Sequence, residues 1–407
     1  MNLMSITNIL KNRVVQVLLL LIIVLGFVSY KVFLGQPSPY TIEVHDEEKI
    51  RSLAYVAWSK SPVDEALMGV VKYDRDRVLG GYNVYCDDER RAYLMDMDGN
   101  IVHTWYFPSI QGNWQYVELL GAGKIIGVCM GRGFAILDKN SAVIMRGKFP
   151  AHHDVEILPD GSFLFPINYL VPYNKRTVFF DSVVHISAKG KLLSEWSTSK
   201  RLKDLRKLHP THQLDVPLSD DALIKADQEE KWPHYYHLNT VEVLPETPLG
   251  LKDRRFKKGN IMVCLRNVDL VVILDKKSKK VVWSWGTGIL DWPHMPTMLD
   301  NGNILIYDNG PHRLYSRVIE LDPVKEKIIW SYRADPPGAF FSDRSGSCQR
   351  LANGNTLIAE SEKGRVFEVT KGGRIVWEFY NPEILFGKRK CIYRMMRVPV
   401  EDVEHWL

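Results

Sequence analysis

The sequence predicts an all-β protein, a six-bladed β-propeller preceded by a single N-terminal transmembrane helix. Three observations carry that expectation. Short runs of β-branched and aromatic residues, parted by Gly, Asn and Asp, fill the chain from Gly81 onward, which is the composition of antiparallel strands joined by tight turns. One phrase recurs along that stretch: a polar or histidine start, a glycine hairpin, and a closing apolar strand ending in an aromatic residue. Ahead of it lies an apolar run of roughly 20 residues, long enough to cross a bilayer as a helix.

That run occupies 14–33 and holds one charge, Lys31. It is longer than a signal-peptide core, and no clean small-x-small cleavage site follows it, so it reads as an uncleaved anchor. Lys11 and Arg13 on its short N-terminal side place the N-terminus in the cytoplasm and the rest outside. In a double-membraned bacterium that outside is the periplasm. Residues 1–36 form this tip and anchor, and 37–80 a Pro-bearing linker with a short helical segment at 46–60, where Ile50, Leu53, Ala54, Ala57 and Trp58 share one face.

The propeller is expected over 81–400. Its copies run over 82–105, 114–149, 152–196, 237–285, 294–332 and 347–379. Their hairpins include Leu120-Gly121-Ala122-Gly123, Leu158-Pro159-Asp160-Gly161, Asp300-Asn301-Gly302-Asn303 and Ala352-Asn353-Gly354-Asn355. In the fourth copy, Leu244-Pro245-Glu246 opens an insertion that closes at Lys258-Gly259-Asn260. Trp283, Trp330 and Trp377 recur at about 47 residues, the period of a four-stranded blade. A two-sheet sandwich also has short strands, but it explains neither the fixed period nor the repeated terminal aromatic. The first copy is one strand short and 391–398 is a strand-like remainder, so the tail is expected to complete blade 1 and close the ring, leaving no open edge. The charged stretch 197–232, with His209 and His212, reads as an insertion between blades, a lid or rim loop.

Composition excludes some functions. A formal charge of +5 with interspersed acids and bases gives no basic stripe for nucleic acid. The five cysteines are scattered without a Cys-x-x-Cys pair, so no zinc or redox motif follows. No cofactor is called for.

His153, His237 and His294 each stand at the start of a copy, in His152-His153-Asp154, Tyr236-His237-Leu238-Asn239 and Trp292-Pro293-His294-Met295. Strand starts meet at one mouth of a propeller, so the three are expected to converge. Arg266, in Leu265-Arg266-Asn267, interrupts an apolar run and calls for a partner. Three imidazoles, an amide and a guanidinium can clamp a tetrahedral oxyanion or attack one, because neutral imidazole is a nucleophile. Three histidines also suit zinc, although the adjacent fixed cation opposes a metal. The bland alternative is that they only tie blade to blade.

These residues resemble one family, the bacterial arylsulfate sulfotransferases, which are six-bladed periplasmic propellers. The resemblance spans 69–398 and rests on Gly81-Tyr82, the stretch from Met95 to Trp105, the His-His-Asp phrase, His-x-Asn after an aromatic, Arg-Asn, the His294 phrase, and Gly346-Ser347-Cys348-Gln349-Arg350-Leu351. It implies ping-pong transfer of a sulfuryl group from an aryl sulfate to a phenolic acceptor, without a nucleotide sulfate donor. It implies His294 as the nucleophile, His237, Asn239 and Arg266 as the sulfate clamp with Asn267 beside them as a further substrate-binding residue, and His153 as a sulfate ligand or a general acid for the leaving phenolate. His234 competes with His237 for the clamp, and His152, His185 and His312 are expected to do no chemistry. Two other readings stand beside this one. The first is a non-catalytic envelope propeller binding an anionic glycan or a protein, and the second is a quinone-dependent dehydrogenase, whose propellers usually have more blades.

Overall fold

In the computed structural model, the residues described are 58–60, 63–87, 89–108, 113–209, 215 and 232–407. The expected anchor at 14–33 and nearly all of the expected helix at 46–60 lie outside them. Among the described residues no helix is long and apolar enough to cross a membrane.

The sheets follow the repeat. Each blade is a four-stranded antiparallel meander whose first strand lies innermost: blade 2 runs Trp114–Leu119, Ile125–Cys129, Gly133–Leu137 and Val143–Gly147. Blade 3 begins at Glu156–Ile157, blade 4 at Leu238–Val243, blade 5 at Pro293–Met298 and blade 6 at Ser347–Arg350. In blade 1 the innermost strand is Met395–Val398 from the tail, paired antiparallel to Tyr82–Cys86 with Tyr82 opposite Val398. The leftover strand therefore closes the ring, as the sequence predicts.

The recurring tryptophans have a physical reason. Trp105 donates its indole N–H to Gly123 O at 2.9 Å, Trp283 to Pro323 O at 3.1 Å, Trp330 to Lys371 O at 2.7 Å and Trp377 to Met97 O at 2.9 Å. Each bond reaches a turn of the next blade, and the last one crosses the closure. The rings meanwhile fill the apolar layers between neighbouring sheets, as Trp105 does between blades 1 and 2 and Trp377 between blades 6 and 1.

Two features escape the repeat. Gly69–Tyr73, which the sequence leaves in the linker, adds a fifth strand to the outer edge of blade 6. It lies outside the repeating unit and is largely exposed, so neither period nor apolarity marks it. The second and third strands of blade 3, Phe163–Tyr173 and Arg176–Ile186, have 11 residues each, about twice the usual length. After blade 3 the insertion opens with a helical turn at Leu202–Leu205, whose Leu205 joins the core between blades 3 and 4; residues 210–214 and 216–231, His212 among them, lie outside the described residues. The chain returns beside the long hairpin, where Phe179 N donates to Pro233 O and Tyr235 N to Phe179 O, both at 2.9 Å. This return places His234 and His237. All five cysteines are buried.

Candidate active site

His153 and His237 come from neighbouring blades. Each sits just before its inner strand with a left-handed backbone, φ +61° and +52°, a conformation that costs a non-glycine residue on the order of 1–3 kcal/mol and that clusters at functional sites. His294 does not share that left-handed backbone. In blade 5 the left-handed position belongs to Trp292, φ +56°, and His294 lies inside the ladder opposite Tyr307. Beyond it the strand bulges: the register shifts between His294 and Thr297, with Met295 at φ +47°. His294 is thus delivered from within the strand, and His153 and His237 from its rim.

The structure brings His153, His237, His234 and Arg266 together. His237 Nε2 is 3.2 Å from His153 Nε2, and the His234 ring is stacked on Phe179 with its centroid 4.8 Å from that of His237. Arg266 sits on the turn Arg266–Val268 between the second and third strands of blade 4, where its backbone N–H donates to His237 O at 3.3 Å. Its guanidinium lies over the Trp292 ring at 4.4 Å and donates from Nε to Asn267 Oδ1 at 3.2 Å. Asn267 in turn donates to His234 O at 2.7 Å. Asn267 therefore aims the arginine. The Asn239 amide is likewise engaged by protein: it donates to Pro293 O at 2.9 Å and accepts from Thr240 Oγ1 at 3.0 Å. Thr240 Oγ1 accepts from Met295 N at 3.1 Å, so this pair holds the bulged strand that carries His294.

His294 is oriented by a residue that sequence reasoning missed. Asn309 donates from Nδ2 to Ser342 O and Ser345 O at 2.7 and 2.9 Å, which leaves its Oδ1 as the acceptor 2.7 Å from His294 Nδ1. Trp292 O is a second acceptor at 3.2 Å. The proton of the neutral ring thereby sits on Nδ1, and Nε2 is a buried lone pair with no hydrogen-bond partner. Burial, and then the Arg266 charge, hold the His294 pKa down to about 3. Burial also depresses His234 to about 3, and both His153 and His237 well below the ordinary value, with Arg266 contributing to each. These imidazoles are neutral at neutral pH around one fixed cation.

Below the histidines the inner strands enclose a cavity of about 380 Å³, lined by Tyr116, Glu118, Glu156, Glu242 and Arg394 among others. Arg394 precedes the ring-closing strand, stacks over Tyr116 at 4.3 Å and pairs with Asp154 at 3.0 Å. It too was missed, because its neighbours come from blades 2 and 3. Burial pushes Glu156 up to about 8, raises Glu118, and holds Glu242 well above the usual range. Elsewhere, His185 bonds Ser162 at 2.8 Å and the exposed His312 pairs with Asp291 at 2.7 Å.

Neutral imidazoles, one of them with an open Nε2, beside a guanidinium form a site for a tetrahedral oxyanion with a nucleophile in reach. Among the described residues, no group of three or more His, Cys, Asp or Glu is disposed to hold a metal ion.

Comparison with known proteins adds the family. No curated protein matches the chain. Among solved structures, a Bacteroides caccae protein of unknown function is 14% identical, covering 78% of this chain and 98% of that one at a TM-score of 0.49. A streptogramin B lyase is 11% identical, covering 80% and 86% at 0.45. A catalytically inactive Staphylococcus aureus virginiamycin B lyase with quinupristin is 12% identical, covering 73% and 87% at 0.40. The family model described as Arylsulfotransferase (ASST) matches residues 131–382, a span that contains His153, His234, His237, Asn239, Arg266, Asn267, His294 and Asn309. This chain belongs to the arylsulfotransferase family.

Proposed function

We propose that this enzyme moves a sulfuryl group from an aryl sulfate to a phenolic acceptor through a sulfated His294. Family membership makes it an aryl sulfotransferase. The observation that carries the finer reading is the open, buried Nε2 of His294, whose Nδ1 proton is fixed by Asn309.

In the first half-reaction the Nε2 lone pair attacks sulfur, the bond from sulfur to the aryl oxygen breaks, and the phenolate leaves. His153 Nε2 supplies the proton it takes up. The sulfated ring keeps its Nδ1 proton on Asn309 and carries a positive charge, which makes it a good leaving group. In the second half-reaction an acceptor phenol attacks that sulfur, returns a proton to His153 and frees Nε2. Arg266 and His237 hold the sulfuryl oxygens, where charge builds in the transition state; such stabilisation is worth on the order of 10² to 10³ in rate per donor. Asn239 and Asn267 act by holding His294 and Arg266 in place. The same proposal keeps the anchor at 14–33 and an extracytoplasmic propeller, supported by the apolar run and the flanking Lys11 and Arg13.

Steady-state kinetics with 4-nitrophenyl sulfate and phenol test the reading. Parallel double-reciprocal lines, without any added nucleotide, are expected. Intersecting lines, or no turnover of any aryl sulfate, would overturn it.

A further inference from the structure

Behind His153 lies a pair of buried polar groups that the reaction above does not use. His152 Nδ1 is 2.7 Å from His153 Nδ1, and His152 Nε2 is 3.7 Å from Asp181 Oδ1. Asp181 is fully buried and His152 is 1% exposed. Neither carboxylate oxygen of Asp181, nor Nε2 of His152, makes a well-formed side-chain hydrogen bond. Asp181 also faces the backbone amides of Leu238 and His237, and His152 the backbone of Ile167; no side chain other than His152 pairs with the carboxyl, and a buried polar pair of this kind calls for a use. Together with the contact between His237 and His153 they make one file from Asp181 through His152 and His153 to His237. His152 and His153 each meet one neighbour through each nitrogen, so a proton entering at one end is passed on by an exchange of tautomers.

We infer that Asp181 and His152 are a proton relay for His153, holding between the two half-reactions the proton that the leaving phenol takes and the acceptor phenol returns. This inference rests on the sulfuryl transfer proposed above. Asp181 and His152 touch no reacting atom and act through His153. In the first half-reaction His153 Nε2–H goes to the phenolate oxygen, His152 Nδ1–H to His153 Nδ1, and the carboxyl proton of Asp181 to His152 Nε2. Asp181 is then a carboxylate beside a His152 whose Nε2 is protonated. The second half-reaction runs each step backwards: the acceptor O–H goes to His153 Nε2, and Asp181 regains its proton, so none is exchanged with solvent.

The surroundings suit this storage. Burial raises the Asp181 pKa to about 8, opposed by the backbone amides of Leu238 and His237 and by the Arg266 charge, so the carboxyl is protonated at neutral pH. Burial holds His152 down at about 4, so the relay imidazole is neutral. The groups that face the file are His234 and Arg266, which act on His153 and His237, His294, which acts on His153, and Tyr236, on which Asp181 acts. His153 is also 6.1 Å from the Tyr393 ring.

A relay differs from a structural prop in its dependence on the leaving group. Turnover of phenyl sulfate, whose phenolate needs a proton, is compared with that of 4-nitrophenyl sulfate, whose phenolate departs unaided, in the full chain and in Asp181→Asn and His152→Asn. Phenyl sulfate kcat is expected to fall on the order of 10²-fold in either variant, and 4-nitrophenyl sulfate kcat about ten-fold less than that. In the unaltered chain, kcat for phenyl sulfate should decline as pH rises past about 8, and the decline should vanish in Asp181→Asn. Equal losses on both donors in both variants, or no loss on either, would overturn the relay while leaving the sulfuryl transfer standing. Absence of turnover of both donors by the unaltered chain would overturn both.

Discussion

The mouth and the channel below it are both buried and both crowded with titratable groups, yet they are opposite in chemistry. At the mouth, burial disfavours imidazolium, so four rings are neutral and present lone pairs and N–H donors to whatever enters. In the channel the same desolvation disfavours carboxylate, so Glu156 and Glu242 are held protonated. One physical effect thus silences both signs of charge and leaves Arg266 at the mouth and, in the channel, Arg394 and Arg397, the latter paired with Glu368 at 3.1 Å. Arg394 is neutralised by Asp154 at 3.0 Å, whereas Arg266 is held by a ring face and an amide. The consequence is a single positive field at the mouth, next to the open nitrogen of His294, which is what an anionic sulfate ester needs.

Breaking the mouth should have the largest effect. His294→Ala removes the attacking atom and should lower kcat on the order of 10⁴-fold or more, read from release of 4-nitrophenol. Arg266→Ala comes next, with about 10² to 10³ lost in kcat/KM; Arg266→Lys should recover little, because an ammonium reproduces neither the stack on Trp292 nor the planar fork. Asn309→Asp sharpens the contrast differently. A carboxylate at His294 Nδ1 favours the imidazolium and raises a pKa now near 3, so the acid limb of the rate profile should move up in pH. In the unaltered protein that limb should lie well below the ordinary histidine range, and kcat/KM should be level between about pH 5 and 7.

The channel gives the smallest effect, and its sign is opposite. Glu156 is protonated below about 8. Above that pH a negative charge below the site should raise KM for every aryl sulfate alike, and Glu156→Gln should remove the rise. The stability linkage runs the same way. The folded-state pKa lies above the unfolded value, so the contribution of Glu156 is fully present below about 4.5 and is lost as pH climbs through about 8. Glu156→Gln should flatten thermal stability across that interval.

Much of this was legible in the sequence. The hairpins, the spacing of Trp283, Trp330 and Trp377, and the strand left over at 391–398 specified the blades and their closure, because each is a local pattern with one steric or hydrogen-bonding cause. His153, His237 and His294 stood out because each opens a copy of the repeat, and Arg266 because it interrupts an apolar run. What escaped depends on packing between blades. The bulge that follows His294, at Met295, leaves no mark on the period. Asn309 looks like an ordinary residue after a strand until Ser342 and Ser345 fix its amide. Arg394 meets Asp154 across 240 residues, and Asp181 meets His152 only because the long hairpin of blade 3 folds back on itself. The Gly69–Tyr73 strand belongs to no repeat and was passed over for that reason.

The central claim is that the neutral, Asn309-oriented imidazole of His294 becomes the covalent carrier. Intact-mass measurement followed by peptide mapping, after mixing the protein with 4-nitrophenyl sulfate and no acceptor, tests it most directly. The account predicts a gain of one SO₃ unit per chain, mapped to His294, absent in His294→Ala and discharged when phenol is added. Release of 4-nitrophenol with no adduct, or with the adduct on another residue, would contradict it.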